Sequence, residues 1–239
     1  MEDMRRAAVI LVAVTLGASA CTAGRDGPPV SPAPAPGVVA SGEATKPVFA
    51  SAPLSGEVLA HTRTRNWHPG CPVPLSDLRE LTVAYHAFDG TVKTGPLVVN
   101  ASVADDVLSV FRRLFRAGFE IKHIALAGKW HPHRRPGEYA STKSVTAAFN
   151  CRPVTRGTTL SQHSFGWAID INPIQNPYIG TNGKVLQGAA KAYVDRSQQL
   201  PGMIHPGDVV VRAFAKIGWG WGGDWHTLKD YMHFSLTGG

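Results

Sequence analysis

The spacing of hydrophobic positions between residues 81 and 236 predicts a mixture of strands and helices. Leu81–Tyr85 and Pro96–Val99 have the composition of strands, and the Asp89-Gly90 pair between them predicts the turn of a hairpin. A helix is predicted farther along because apolar residues recur there at helical spacing. Its apolar positions are Val107, Val110, Phe111, Leu114 and Phe115.

Local signals suggest where the helices begin and end. Ser102 is followed three residues later by Asp105, which resembles a capping arrangement, and Gly118 is expected to end this helix. A second helix is predicted over Val209–Ile217, with Gly218 as its stop.

Three further strands are predicted, over Ile121–Ala127, Trp167–Ile171 and Tyr231–Leu236. The stretch Lys129–Thr159 is polar and has little periodicity, and a loop of that length in a compact domain is often functional. Because strands and helices do not alternate regularly, the sequence predicts the α+β class rather than a doubly wound parallel sheet.

The first 20 residues have the organisation of an export signal. Arg5 and Arg6 precede the apolar stretch Ala7–Leu16, and small residues follow at 18–20. Because a membrane-spanning helix needs about 20 apolar residues, this short stretch favours a cleaved signal over a single-pass anchor.

Cys21 directly follows these small residues, as in the lipobox of bacterial lipoproteins. Lipidation of Cys21 would tether the mature chain to the outer face of the cytoplasmic membrane, with simple secretion as the alternative. Residues 21–55 are rich in Pro, Ala, Ser and Gly and are predicted to form a semi-extended linker. Residues 56–239 are then long enough for one domain with its own core.

The formal net charge of +7 falls entirely in residues 56–239, because the acidic and basic residues of the signal and linker balance. A basic domain suits an anionic wall or membrane surface. Nucleic acid is not expected as a partner, since the chain has no basic helix or arginine-rich run. Cys71 and Cys151 are expected to form a disulfide in an oxidising compartment, with free thiols or zinc ligation as the alternatives.

Asp170 is the most informative polar residue because it interrupts an apolar strand. Its carboxylate is expected to be at least partly buried, which is unfavourable unless the charge is paired or bound to a metal. His163 lies seven residues upstream, and Gly166 permits a turn that lets the two side chains converge. Both are ordinary zinc ligands, although a structural Asp170 bonded to backbone is the alternative.

His233 is a third candidate ligand. Two histidines and one carboxylate would leave a fourth zinc position open, which is typical of catalytic sites. Asp230 precedes His233 by three residues, so in an ideal strand the two would point to opposite faces. Asp230 can face the same site from a turn before the strand, where it could accept a proton and pass it to a leaving amine.

The segment Ser161–Asp170 resembles the S-x-H-x-x-G-x-A-x-D signature of zinc D-alanyl-D-alanine carboxypeptidases of the VanY type. The D-x-x-H ending at His233 resembles the variant found in phage L-alanyl-D-glutamate endopeptidases. The resemblance covers roughly residues 68–235 and includes further matching pieces, namely Phe149–Pro153, Asp170–Pro173 and Trp221–Trp225.

This resemblance implies that His163, Asp170 and His233 bind Zn²⁺ and that Asp230 is the general base. It also implies the small α+β zinc domain shared with hedgehog signalling proteins, an antiparallel sheet with flanking helices. Family members often carry a substrate-clamping arginine in a Y-R motif, which this chain lacks. Arg152 is the expected substitute, holding the substrate carbonyl and stabilising the oxyanion; a surface ion pair is the alternative.

The sequence therefore predicts a monomeric, exported zinc peptidase of the cell envelope. Its expected substrates are peptidoglycan stem peptides, cut at bonds involving D-amino acids as in a D-Ala-D-Ala carboxypeptidase. An L-Ala-D-Glu type endopeptidase and a non-catalytic zinc-containing wall-binding module are the alternatives, and Asp230 favours an enzyme over the module. A two-carboxylate glycosidase fits poorly, because no glutamate follows Glu138.

Overall fold

A computed structural model of the chain describes residues 46–129, 143–155 and 157–238. The predicted signal, Cys21 and most of the predicted linker lie outside these residues. Within the described ranges, no helix combines the length and the apolar composition that a membrane span requires.

The first part of the fold is a three-stranded antiparallel sheet. Its strands are β1 (Phe49–Pro53), β2 (Leu78–His86) and β3 (Val92–Asn100), in the order β1-β2-β3. The helix α1 (Gly56–His61) connects β1 to the segment before β2 and continues into a wider helical turn over Thr62–Asn66. The β2–β3 hairpin confirms the first two predicted strands and lengthens both.

Strand β1 lies inside the segment that the sequence predicts as a linker. Phe49 pairs with Val83 of β2, and its ring packs edge-on against Phe115 with 5.7 Å between ring centroids. This aromatic contact gives a segment of linker-like composition an apolar anchor. The folded unit therefore begins before residue 49, and the boundary expected at 55–56 is too late.

The helix α2 (Ala104–Arg116) packs its apolar side chains against β2 and ends before Gly118, as predicted. The predicted Ser102–Asp105 cap is wrong. Asn100 instead accepts a hydrogen bond from the Ser102 backbone N–H at 3.0 Å, at a 3₁₀ turn that precedes α2. Asn100 takes this role because it ends β3, where its side chain can reach forward to the next turn.

The central strands are shorter than the sequence predicts. Strand β4 contains His123–Ile124, β5 contains Val145–Thr146, and β6 contains Ala168–Asp170. β4 and β5 pair in parallel over two residues each, so the predicted strand at 121–127 lacks ladder partners over most of its length.

The last part of the fold contains a second antiparallel sheet, a separate strand pair and a helix. Its strands and helix are β7 (Tyr178–Ile179), α3 (Val209–Ala215), β8 (Gly220–Trp221), β9 (Lys229–Asp230) and β10 (His233–Ser235). The sheet order is β6-β10-β8, while β7 and β9 form a separate pair. Phe234 of β10 is fully buried and stacks on Phe214 of α3, with 4.2 Å between ring centroids. The mixture of helices and antiparallel sheets confirms the α+β class.

The disulfide predicted between Cys71 and Cys151 is present. It joins the segment before β2 to the segment that precedes the 3₁₀ turn of His163. A backbone hydrogen bond strengthens this connection, since Cys151 N–H donates to the Asn66 carbonyl at 2.8 Å. The same region is tied to β3, because Phe149 N–H donates to Val98 and Asn100 N–H donates to Gly166.

Candidate metal centre and substrate cleft

A 3₁₀ turn and two strands bring His163, Asp170 and His233 together. His163 lies in a 3₁₀ turn (Gln162–Phe165), Asp170 ends β6, and His233 begins β10. Asp170 and His233 are register partners in the antiparallel β6–β10 pair, so their side chains leave the sheet side by side. All three side chains are buried, and their ligand atoms all lie within 4.8 Å of one another.

The turn that carries His163 is closed at both ends. The Ser161 hydroxyl accepts from the His163 backbone N–H at 3.3 Å. At the other end Gly166 has a φ of 71°, and a Cβ on it would lie 2.5 Å from the Asn100 backbone nitrogen. Glycine is therefore required there by both conformation and space. Its absent side chain lets the turn dock against the end of β3.

A backbone carbonyl fixes the tautomer of His163. Nδ1 of this ring lies 2.7 Å from the Ala148 carbonyl oxygen, which can only accept, so Nδ1 carries the proton. In the neutral ring Nε2 then presents a lone pair, and it lies 3.2 Å from Oδ1 of Asp170. Nε2 is buried and has no hydrogen-bond partner among the described residues. Two facing acceptors in a buried site call for a cation between them.

The donor set and its spacing fit zinc. Nδ1 of His233 lies 3.1 Å from the same Oδ1 of Asp170. Ligand atoms bound tetrahedrally to Zn²⁺ at about 2.0–2.2 Å stand roughly 3.2–3.6 Å apart, close to these separations. The carbonyl bond to His163 is also the kind of outer contact that orients a metal-binding imidazole.

Asp170 has an electrostatic environment that favours its charged form. Burial alone would raise the pKa of this carboxyl. Electrostatic attraction to the neighbouring His163 and His233 imidazoles outweighs burial and holds the pKa of Asp170 well below its usual value. A carboxylate kept ionised in a buried site is a suitable metal ligand.

Asp230 lies at the end of β9 and is followed by a turn that leads into β10. This irregular entry lets Asp230 and His233 line the same cleft despite their spacing of three residues. Oδ1 of Asp230 is buried and has no hydrogen-bond partner among the described residues. Burial first, and then repulsion from Asp170, raise the pKa of Asp230 to about 7, while His233 and Arg152 act in the opposite direction. This carboxyl can therefore exchange a proton near neutral pH.

Arg152 is also buried and lines the cleft. Its guanidinium donates to the Pro153 carbonyl at 3.0 Å. Its backbone N–H donates to the Ser164 hydroxyl, which in turn donates to the Arg152 carbonyl oxygen. These bonds tie Arg152 to the turn that carries His163.

The cleft has a volume of about 380 Å³, enough for part of a peptide. Its polar floor contains Asp170, Asp230 and the two histidines. The rest of its lining comes from the segment around residues 152–160 and from residues after 178, and much of it is apolar. The apolar wall residues are Val154, Leu160, Tyr178, Leu186, Trp225, Leu228 and Met232.

Other residues considered from the sequence fall into different places. Trp219 and Trp221 belong to the core, whereas Trp225 lines the cleft. Asp224, the competing candidate for the base, is exposed and is not among the residues that line the cleft. Cys71 and Cys151 lie near His68, but their sulfur atoms are bonded to each other and are not thiolate ligands. Cys21 lies outside the described residues.

Gln162, the residue before His163, also lines the cleft, although it was not predicted as a site residue. Its position inside the signature was visible, but the direction of its side chain depends on the fold. The Ala148 carbonyl, which orients His163, carried no sequence signal at all.

Part of the chain matches a known protein family. Residues 155–236 match a family model described as D-alanyl-D-alanine carboxypeptidase, of the M15 zinc peptidases. This match confirms the family resemblance, and the matched segment contains His163, Asp170, Asp230 and His233. Searches of curated proteins and of solved structures returned no match.

Proposed function

We propose that this protein is a zinc peptidase that hydrolyses peptide bonds involving D-amino acids in peptidoglycan stem peptides. The observation that carries the proposal is the cluster of His163, Asp170 and His233 at the floor of a cleft that also holds Asp230. The family match over 155–236 supports the same chemistry. We also propose that the domain adopts the fold of the small zinc domain shared with hedgehog proteins.

In this proposal His163, Asp170 and His233 hold Zn²⁺. When bound, the ion supplies Lewis-acid polarisation of the scissile carbonyl and lowers the pKa of a water molecule. The protein keeps His163 in one tautomer through the Ala148 carbonyl and keeps Asp170 ionised, so the donor atoms are ready before the metal arrives.

Asp230 acts as the general base. Hydrolysis adds the hydroxyl of water to the carbonyl carbon and a proton to the departing amine nitrogen. With a pKa raised to about 7, the Asp230 carboxylate can take the proton from water and release it to the amine. Its unpaired Oδ1 leaves an acceptor atom for this transfer.

Arg152 stabilises the negative charge that develops on the carbonyl oxygen of the substrate. Its guanidinium is a planar group with five N–H donors, and the residue lines the cleft. Because the residue is buried and tied to the His163 turn, the charge is positioned before substrate binds, which is the condition for effective electrostatic stabilisation.

A defined digest tests the proposal and separates its variants. The zinc-loaded chain from residue 22 onward is incubated with pentapeptide and tetrapeptide stems, and products are identified by mass spectrometry. Release of the terminal D-Ala from the pentapeptide is the result expected for a D,D-carboxypeptidase. Cleavage between L-Ala and D-Glu would instead identify an endopeptidase.

The controls separate an enzyme from a binding module. His163→Ala and Asp230→Asn should both remove the products. If the zinc-loaded protein binds intact peptidoglycan but cleaves neither stem, the peptidase proposal is wrong and a non-catalytic wall-binding module replaces it.

The cellular location of the protein is a separate proposal. We propose export to the cell envelope, with Cys21 as a lipid anchor on the outer face of the cytoplasmic membrane. Mass spectrometry of the membrane-bound form should find a diacylated Cys21, and Cys21→Ser should release the protein into the medium. A Cys21→Ser protein that stays in the membrane fraction would contradict the anchor.

A further inference from the structure

The side-chain amide of Gln162 is a polar group that the fold leaves unused. It lines the cleft beside His163 and Asp230, and its Oε1 atom is buried without a hydrogen-bond partner. No hydrogen bond of its Nε2 atom is present among the described residues. Buried side-chain oxygens normally have partners, so an exception inside a cleft needs an explanation.

The turn itself does not need this amide. The backbone carbonyl of Gln162 accepts from Trp167 N–H at 3.1 Å. The start of the turn is capped by the Ser161 hydroxyl and its end is closed by Gly166. The turn would keep every one of these contacts with another side chain at position 162.

Among the described residues, three of the eight buried side-chain atoms without a hydrogen-bond partner lie in this cleft. Three described cleft residues carry one: His163 at Nε2, Asp230 at Oδ1 and Gln162 at Oε1. The first two are accounted for by the roles proposed above, as a metal ligand and as the base. Gln162 has no such account within the protein, and the shared location points to a ligand as its partner.

A primary amide matches one kind of ligand group particularly well. Its oxygen accepts and its nitrogen donates side by side, so it can pair with the N–H and C=O of a peptide group. A free carboxylate can only accept from its nitrogen and a free ammonium can only donate to its oxygen, so neither group pairs with both halves of the amide. Because Gln162 adjoins a residue of the metal cluster, the peptide group it faces is a neighbour of the scissile bond.

We infer that Gln162 binds a second peptide group of the substrate, adjacent to the bond that is cut. This inference rests on the proposed function and deepens it, because it defines the length of the substrate. A dipeptide contains the scissile peptide group alone and cannot use Gln162. A stem peptide contains neighbouring peptide groups and can, so the site selects stem peptides over free dipeptides.

The test measures binding without turnover. In an Asp230→Asn background, calorimetry compares a pentapeptide stem with the dipeptide D-Ala-D-Ala, before and after Gln162→Met. Methionine keeps the length of the side chain and removes the amide. We expect Gln162→Met to weaken pentapeptide binding about 5- to 100-fold, as for one or two hydrogen bonds, and to change dipeptide binding less than twofold.

A matched control is Gln199→Met, because Gln199 is exposed and does not line the cleft. It should leave both affinities unchanged, and Gln162→Met should keep the full zinc content. Equal weakening for both peptides, or no weakening for either, would overturn the assignment of Gln162.

The same measurements distinguish this failure from failure of the proposed function. If the parent protein with Asp230 intact binds stems but cleaves none, the peptidase proposal fails while the Gln162 ratio still decides the binding role. If the parent cleaves stems and Gln162→Met binds them equally well, only the inference about Gln162 fails.

Discussion

His163 illustrates how one hydrogen bond decides the chemistry of a side chain. The Ala148 carbonyl oxygen accepts a hydrogen bond from Nδ1–H, and the lone pair of Nε2 is thereby directed at Asp170. Without a cation, that arrangement places two acceptors against each other in a buried site. The geometry thus favours metal binding through the protein's own backbone, before any ion is present.

Asp230 is the residue at which binding and chemistry should separate. Asp230→Asn removes the base but none of the three proposed ligands, so the protein should keep its zinc and its thermal melting temperature. Turnover of a D-Ala-terminated stem should fall by about 10²–10⁴-fold, the usual contribution of a general acid–base group. Zinc analysis, melting and steady-state kinetics measure the three quantities.

Two comparisons make this prediction specific. His233→Ala, only three residues away, should lose zinc as well as activity. Asp224→Asn should change neither, because Asp224 is exposed and does not line the cleft. Normal turnover in Asp230→Asn would make Asp224 the next candidate, and loss of zinc in it would place Asp230 in the metal site.

The raised pKa of Asp230 predicts the acidic limb of the pH profile. The carboxyl accepts a proton only when ionised, so kcat/KM should fall as the pH drops through its pKa. Without metal that pKa is about 7, and a bound cation favours the carboxylate and lowers it. The midpoint is therefore expected below about pH 7. An identical acidic limb in the residual activity of Asp230→Asn would assign that limb to another group.

Site residues with distinctive chemistry could be predicted from the sequence, whereas those whose role comes from their position in the fold could not. A carboxylate in an apolar strand and histidines at set distances stand out in a sequence. Gln162 and the Ala148 carbonyl belong to types that occur on any surface. Their roles follow from where the His163 turn docks, and this depends on contacts between distant segments.

At the scale of the element, the turn that carries His163 depends on its close approach to β3. We expect Gly166→Ala to destabilise the fold more than Gly118→Ala, although both glycines have φ near 70°. A left-handed conformation costs about 1–2 kcal/mol for alanine at either position. At Gly166 the new Cβ would also clash with the Asn100 nitrogen, whereas at Gly118 nothing lies within 4 Å.

Urea unfolding of the two variants measures the difference. We expect the free energy of unfolding to fall by about 1–2 kcal/mol for Gly118→Ala and by clearly more for Gly166→Ala. Equal losses would show that the turn can move away from β3 without penalty. In that case the approach to β3 would not fix the position of His163.

The disulfide is the second device that holds this region. It closes a separation of 80 residues between Cys71 and Cys151, and such a link typically stabilises by about 2–4 kcal/mol. The Cys71→Ser/Cys151→Ser double variant should lose about that much free energy of unfolding. Thiol labelling of the denatured, unreduced protein should find no free thiol from either residue, and two labels would contradict the pairing.

Periodicity predicted the longer elements and failed on the short ones. The apolar stripe of α2 extends over three turns, and β2 and β3 are long enough to show their own character. Strands of two or three residues, such as β4 and β6, contain at most one and a half periods of the two-residue alternation, which is too short to show a pattern. Strand β1 escaped notice because backbone pairing with β2 and the contact of Phe49 with Phe115, not an apolar composition, hold it to the sheet.

At the scale of the whole molecule, zinc should act as a cross-link between the turn of His163, β6 and β10. We expect one equivalent of zinc per chain by elemental analysis. At a free zinc concentration 100 times Kd, binding adds about 2.7 kcal/mol of stability. For a domain of this size, that corresponds to a rise in Tm of about 5–10 °C.

His163→Ala should lose both the bound zinc and this rise in Tm. The Tm of the metal-free variant should stay near that of the metal-free parent, which separates metal loss from misfolding. Full zinc retention in His163→Ala would exclude the proposed ligand set.

The place of β10 in its sheet has a consequence for the order in which the protein becomes active. β10 is the central strand between β6 and β8, and it carries His233, yet it is the last strand along the chain. The ribosome makes the chain from its N-terminus. The β1–β3 sheet and both cysteines of the disulfide are therefore made before β10, which supplies His233 to the proposed site. On the proposed function, the growing chain therefore has no peptidase activity during synthesis. The proposed site is completed only when β10 pairs with both β6 and β8.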